Sequence, residues 1–97
     1  MKQREYIFKK LKESKPFLEA NYNINRLGVF GSYSRDEYTE ESDVDILVEY
    51  SKPLSLFKVV EMVDYLQNIL SKKVDLVSKK DIKDSLKLRI LNEVIML

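Results

Sequence analysis

Apolar positions along the chain switch between two periods, and the switches mark out its elements. Ile7, Leu11 and Leu18 recur among Lys and Glu at helical spacing, predicting an amphipathic helix over residues 2–19 that is weakened or kinked at Pro16. Asn21-Tyr22-Asn23 breaks the pattern. Arg26-Leu27-Gly28-Val29-Phe30 then reads as a short apolar strand ending at Gly31, and residues 32–38 as a short helix opening from that turn. A polar loop over residues 39–42 leads into Val44-Asp45-Ile46-Leu47-Val48, where three β-branched residues in five predict a central strand buried on at least one face. After Ser51-Lys52-Pro53, the spacing of Leu56, Val59, Val60, Val63, Leu66 and Leu70 predicts a helix. Lys73-Val74-Asp75-Leu76-Val77 is a third strand, and a helical pattern resumes from Asp81 through Leu86, Ile90, Leu91 and Val94. Ile95-Met96-Leu97 reads as the tail of that last helix in the core rather than as a strip offered to a partner. Helices and strands thus alternate, which predicts an α/β (α+β) fold.

Composition bounds what such a fold can do. At 97 residues with 44% apolar content the expectation is one domain spanning 1–97, with a single modest core and no room for a second substrate-binding lobe. The formal charge of +1 gives little general attraction to a long polyanion, although Lys72, Lys73, Lys79, Lys80, Lys83, Lys87 and Arg89 crowd the last third. There is no cysteine and no histidine, so disulfides, thiolate metal sites, ordinary zinc coordination and Ser-His-Asp catalysis are excluded. Carboxylates, hydroxyls, Lys and Arg remain. No apolar segment approaches the roughly 20 residues that cross a bilayer, and no signal-peptide core follows Met1-Lys2-Gln3-Arg4-Glu5, so a cytoplasmic protein without membrane contact is expected.

The candidate chemistry lies in the acidic middle of the chain. Side chains two apart on a strand point the same way, so Asp43 and Asp45 are expected to share one face beside the Val44–Val48 run. Two such anions repel and resist desolvation unless a cation neutralises them, which points to a hard divalent ion. Asp75 has the same character on the third strand, and if the two strands pair, all three carboxylates converge. Gly31-Ser32 alone is an ordinary strand-to-turn junction. Beside those acids, however, it would aim backbone N–H groups and a hydroxyl at a phosphate, with Arg35 one turn further on.

Taken together, Gly31-Ser32-Tyr33-Ser34-Arg35, Ser42-Asp43-Val44-Asp45-Ile46-Leu47-Val48 and Val74-Asp75-Leu76-Val77 resemble the signature of the polymerase-β-like nucleotidyltransferases. The small size narrows the resemblance to the minimal nucleotidyltransferase (MNT) group. Members often carry Gly directly after the motif Arg, where this chain has Asp36. The resemblance implies a small mixed sheet flanked by helices, with a palm-like nucleotidyltransferase fold. It implies catalytic and Mg²⁺-binding roles for Asp43, Asp45 and Asp75, and contacts from Gly31, Ser32, Arg35 and Ser42 to ATP as nucleotide donor. It further implies an antitoxin that transfers AMP to a tyrosine of a HEPN-family toxin partner. Two alternatives remain open at the level of sequence: a non-catalytic antitoxin that neutralises its partner by binding, and nucleotidyl transfer to a small-molecule hydroxyl or to RNA. Near-neutral charge disfavours RNA, although the basic last third keeps it in play.

Overall fold

The computed structural model describes residues 2–97. Its first element, α1 (Gln3–Tyr22), is one continuous helix that runs through Pro16. Proline removes one intrahelical hydrogen bond, but Pro16 and Lys12, whose carbonyl loses its partner, both lie on the exposed side where water can serve. The opposite side of α1 buries Ile7, Leu11, Leu18 and Tyr22, and this stripe carries the helix past the defect. Asn23 ends it in the left-handed conformation.

Four strands follow in a mixed sheet of order β3-β2-β1-β4: β1 (Ile24–Phe30), β2 (Val44–Tyr50), β3 (Val74–Ser78) and β4 (Ile95–Met96). β2 is central, antiparallel to β1 and parallel to β3. A parallel pair needs a crossover, and α2 (Leu56–Leu70) supplies it. Ser55 caps that helix by accepting the Lys58 N–H at 3.3 Å. α1 and α2 cover one face of the sheet, where Leu27, Val29, Val44, Ile46 and Val48 meet Ile7, Leu11, Leu18, Met62 and Leu66 in the main core. α3 (Asp84–Glu93) crosses the other face, and its one buried residue, Ile90, packs on Phe30 and Leu47. The mixed sheet flanked by helices that the resemblance implies is therefore the observed architecture. Among the described residues no helix is long and apolar enough to cross a membrane.

Two predicted elements take a different form. Residues 32–38 are not a helix: Gly31–Tyr33 forms a single 3-10 turn, after which Asp36 adopts φ 59° and halts any helical continuation. The reason is Tyr33, which is fully buried and stacks on Tyr38 with ring centroids 4.5 Å apart, drawing the segment inward instead of along a helix axis. Nor does the last helix continue through Ile95, Met96 and Leu97. α3 stops at Glu93, Val94 is extended, and β4 pairs with β1 through Gly28↔Met96 and Val29↔Ile95. This pairing satisfies an edge of β1 that would otherwise present bare N–H and C=O groups.

Gly28 makes that pairing possible. A Cβ on it would lie 2.7 Å from both Met96 Sδ and Val94 Cγ2. Gly28→Val is expected to detach β4 and to lower stability by about 1–3 kcal/mol, read as a lower Tm together with faster amide exchange at Leu97, whose N–H donates to the Leu27 carbonyl at 2.9 Å.

Candidate active site

The parallel pairing of β2 with β3 sets Asp45 directly beside Asp75, with Cα partners in register. Residues in register on adjacent parallel strands project to the same face, about 4.8 Å apart across the ladder. Alternation places both acids on the α3 side of the sheet, because Val44 and Ile46 point into the α1–α2 core. Asp43 lies one residue before β2, exposed at its entrance. Asp75 is also exposed, on the edge strand, whereas its apolar neighbours in the sequence suggested burial. Only Asp45 is substantially enclosed. Its burial, then the charges of Asp75 and Asp43, hydrogen bonding with Asp75 and finally the charge of Glu93 push its carboxyl up to about 6.

Gly31 closes the site from the other side of Asp45, since Asp45 pairs with Phe30 on β1. Gly31 has φ +73°, and a methyl group on it would collide with the Asp45 carboxylate. Glycine is therefore required both by the backbone and by the acid. Ser34 and Arg35 both donate their N–H groups to the Gly31 carbonyl, at 3.1 and 3.2 Å, and Ser34 Oγ does so at 2.8 Å. Ser32 is half-buried within the turn, and its carbonyl accepts the Glu37 N–H at 2.9 Å. The Arg35 guanidinium reaches Glu93 at 2.8 Å and Glu37 at 3.1 Å. Ser42 is occupied locally: its hydroxyl accepts the Thr39 N–H at 2.8 Å, shaping the loop that delivers Asp43.

Two further residues bear on the site and carry no motif in the sequence. Arg4, from α1, donates to the carbonyls of Tyr33 at 2.7 Å and Ser34 at 3.4 Å, pinning the glycine turn from 29 positions away. Glu93, from the end of α3, accepts the Gly31 N–H at 3.3 Å. Only a contact across the fold reveals either one. A cleft of about 530 Å³ lies at the other end of β2, lined by Glu49, Lys52 and, from the basic last third, Lys79, Lys80 and Lys87 among others, and contains none of the candidate site residues Gly31, Ser32, Arg35, Ser42, Asp43, Asp45 and Asp75.

The acids suit a magnesium ion of a particular kind. Among the described residues no group of three or more ligand-type side chains is arranged to hold a metal by itself. Mg²⁺, however, is commonly bound by one or two carboxylates together with substrate phosphates and water, not by an all-protein cage. An exposed pair, Asp43 and Asp75, around the half-buried Asp45 fits that mode. Carboxylates that suit a hard cation beside a glycine turn that suits phosphate are the groups that metal-assisted phosphoryl or nucleotidyl chemistry calls for.

Comparison with known proteins bears on the family and the fold. Residues 10–97 match the nucleotidyltransferase domain family. The protein adenylyltransferase MntA of Thermococcus cleftensis is 42% identical over 78 residues, covering 80% of this chain and 79% of its own length. The structure of a candidate minimal nucleotidyltransferase superposes with TM-score 0.81 at 30% identity, over 100% of this chain and 97% of the other. A crystal structure of a toxin–antitoxin with AMP-PNP contains a chain that superposes with TM-score 0.70 at 25% identity, over 96% of this chain and 70% of that one. The chain therefore belongs to the nucleotidyltransferase domain family, as an enzyme of the minimal nucleotidyltransferase group.

Proposed function

We propose that this enzyme is the antitoxin of a toxin–antitoxin pair and transfers AMP from ATP to a tyrosine hydroxyl of a HEPN-type toxin. The observation that carries the proposal is the in-register Asp45–Asp75 pair beside the Gly31 turn, a set of mutually repelling acids that a metal–nucleotide complex would neutralise. The adenylyltransferase relative and the fold's occurrence in a toxin–antitoxin complex with AMP-PNP support the donor and the class of acceptor.

Asp43, Asp45 and Asp75 would hold Mg²⁺, which when bound offsets the charge of the triphosphate and makes the α-phosphorus more electrophilic. The Gly31 N–H and Ser32 would bind phosphate oxygens, with Arg35 supplying positive charge at the rim. Ser42 contributes by fixing the loop ahead of Asp43. Asp75, exposed at the sheet edge, accepts the proton of the incoming tyrosine hydroxyl. The tyrosine oxygen bonds to the α-phosphorus, the bond from that phosphorus to the α–β bridging oxygen breaks, and pyrophosphate leaves. Alignment and charge compensation supply most of the rate.

Asp45→Asn is expected to reduce transfer about a hundredfold or more. Intact mass spectrometry of the co-purified toxin partner, before and after Mg²⁺-ATP, reads this as loss of AMP-sized mass steps. If the wild type leaves the partner's mass unchanged while still neutralising it, neutralisation is by contact and the proposal fails.

The same acid links stability to pH. The folded-state value of about 6 for Asp45 exceeds the unfolded 3.8, so between these values the folded state holds the extra proton and stability falls as pH rises. The penalty is absent below about pH 4 and complete above about pH 6. Without metal, Asp45→Asn is therefore expected to melt higher than wild type at pH 7.5, by about 1–2 kcal/mol once the solvent reaching the group is allowed for. Thermal melts at both pH values should show the gain vanishing toward pH 4. Transfer needs the ionised acid, so at limiting Mg²⁺ the rate should rise through about pH 6, and saturating Mg²⁺ should move that rise to lower pH.

A further inference from the structure

We infer that Glu93 is a resident anion in the seat the nucleotide phosphates would take, and that it thereby sets the enzyme's affinity for nucleotide. The inference rests on the reading of Gly31 as a phosphate donor given above. Glu93 Oε1 accepts the Gly31 N–H at 3.3 Å, and its Oε2 accepts Arg35 Nη1 at 2.8 Å. Arg89, one turn earlier on α3, stands 4.0 Å from Oε1. The Glu93 side chain is only 13% exposed, so this is an enclosed contact and not a surface pairing.

Two other features around Glu93 oppose its position. It is the last residue of α3, where the negative end of the helix dipole disfavours a carboxylate. It also faces Asp45, whose charge it repels. Besides the longer contact from Arg89, what holds it there is the pair of donors formed by the Gly31 N–H and Arg35, two of the groups assigned to the triphosphate. The N–H has one proton to give, so a phosphate oxygen can occupy this seat only when Glu93 leaves it. α3 is lightly anchored, with Ile90 its one buried residue, while Leu86 and Leu88 are exposed. Apparent affinity is then the intrinsic affinity reduced by the fraction of molecules whose seat is open.

The test is calorimetric titration of the full-length chain with Mg²⁺-AMP-PNP and, separately, with adenosine, for wild type, Glu93→Gln and Glu93→Ala. Glu93→Gln keeps the shape and the acceptor but removes the charge, so it decides the matter if Glu93→Ala fails to fold. Release of a charged competitor is expected to tighten AMP-PNP binding by about tenfold and to leave adenosine, which has no phosphate, unchanged. In turnover the KM for ATP should fall with little change in kcat. AMP-PNP binding to Glu93→Gln that is equal to or weaker than wild type overturns the inference, as does an equal change for adenosine, which would mark a general loosening of the site. If neither wild type nor variant binds AMP-PNP, the reading of a nucleotide site falls as well.

Discussion

Repulsion between carboxylates is the constraint around which this molecule is arranged. Asp45 and Asp75 sit opposite each other on parallel strands with Asp43 at the entrance, and no arrangement of a free sheet would choose this. The acids are kept in place by the opposite face. Val44, Ile46 and Val48 alternate with Asp45 and are fully buried under α1 and α2, so the apolar side of β2 dictates where its acidic side points. A slip of one residue between β2 and β3 would separate the acids, but it would also turn the buried aliphatics out of the core. The register that stabilises the fold is thus the register that concentrates the charge.

Around this pair the glycine turn is held from three directions. Gly31 yields to the Asp45 carboxylate, Arg4 draws the carbonyls of Tyr33 and Ser34 toward α1, and Glu93 binds the Gly31 N–H from α3. The Tyr33 ring fills the space beneath, stacked on Tyr38, with its hydroxyl buried and unpaired among the described residues. An unpaired buried hydroxyl of this kind costs stability, which the burial of the ring offsets. The loop beyond the turn makes its own accommodation. Asp36 adopts the left-handed conformation, φ 59°, that glycine would take without cost.

Much of this was legible along the chain. The alternation of Val44, Ile46 and Val48 marks a central strand, and the spacing from Leu56 to Leu70 marks the crossover helix. Together these bring Asp45 and Asp75 onto neighbouring parallel strands. Two segments misled for separate reasons. Residues 32–38 hold enough helix-compatible residues to suggest a helix, yet the burial of one large aromatic ring outweighs local propensity there. Ile95 and Met96 continue a plausible helical stripe, yet an open edge of β1 beside the bare Gly28 offers hydrogen bonds that an extra helical turn cannot match.

The sequence by itself determined α1, α2, the first three strands and which acids stand out among them, because periodicity and charge are local and each strand carries its own pattern; the mixed sheet came with the family resemblance. Tertiary structure alone decided which groups meet. That Arg4 holds a turn 29 residues away, and that Glu93 takes an N–H 62 residues away, depends on how α1 and α3 lie across opposite faces of one sheet. Nothing in the neighbourhood of either residue encodes that contact, since the partner exists only once the sheet has formed between them.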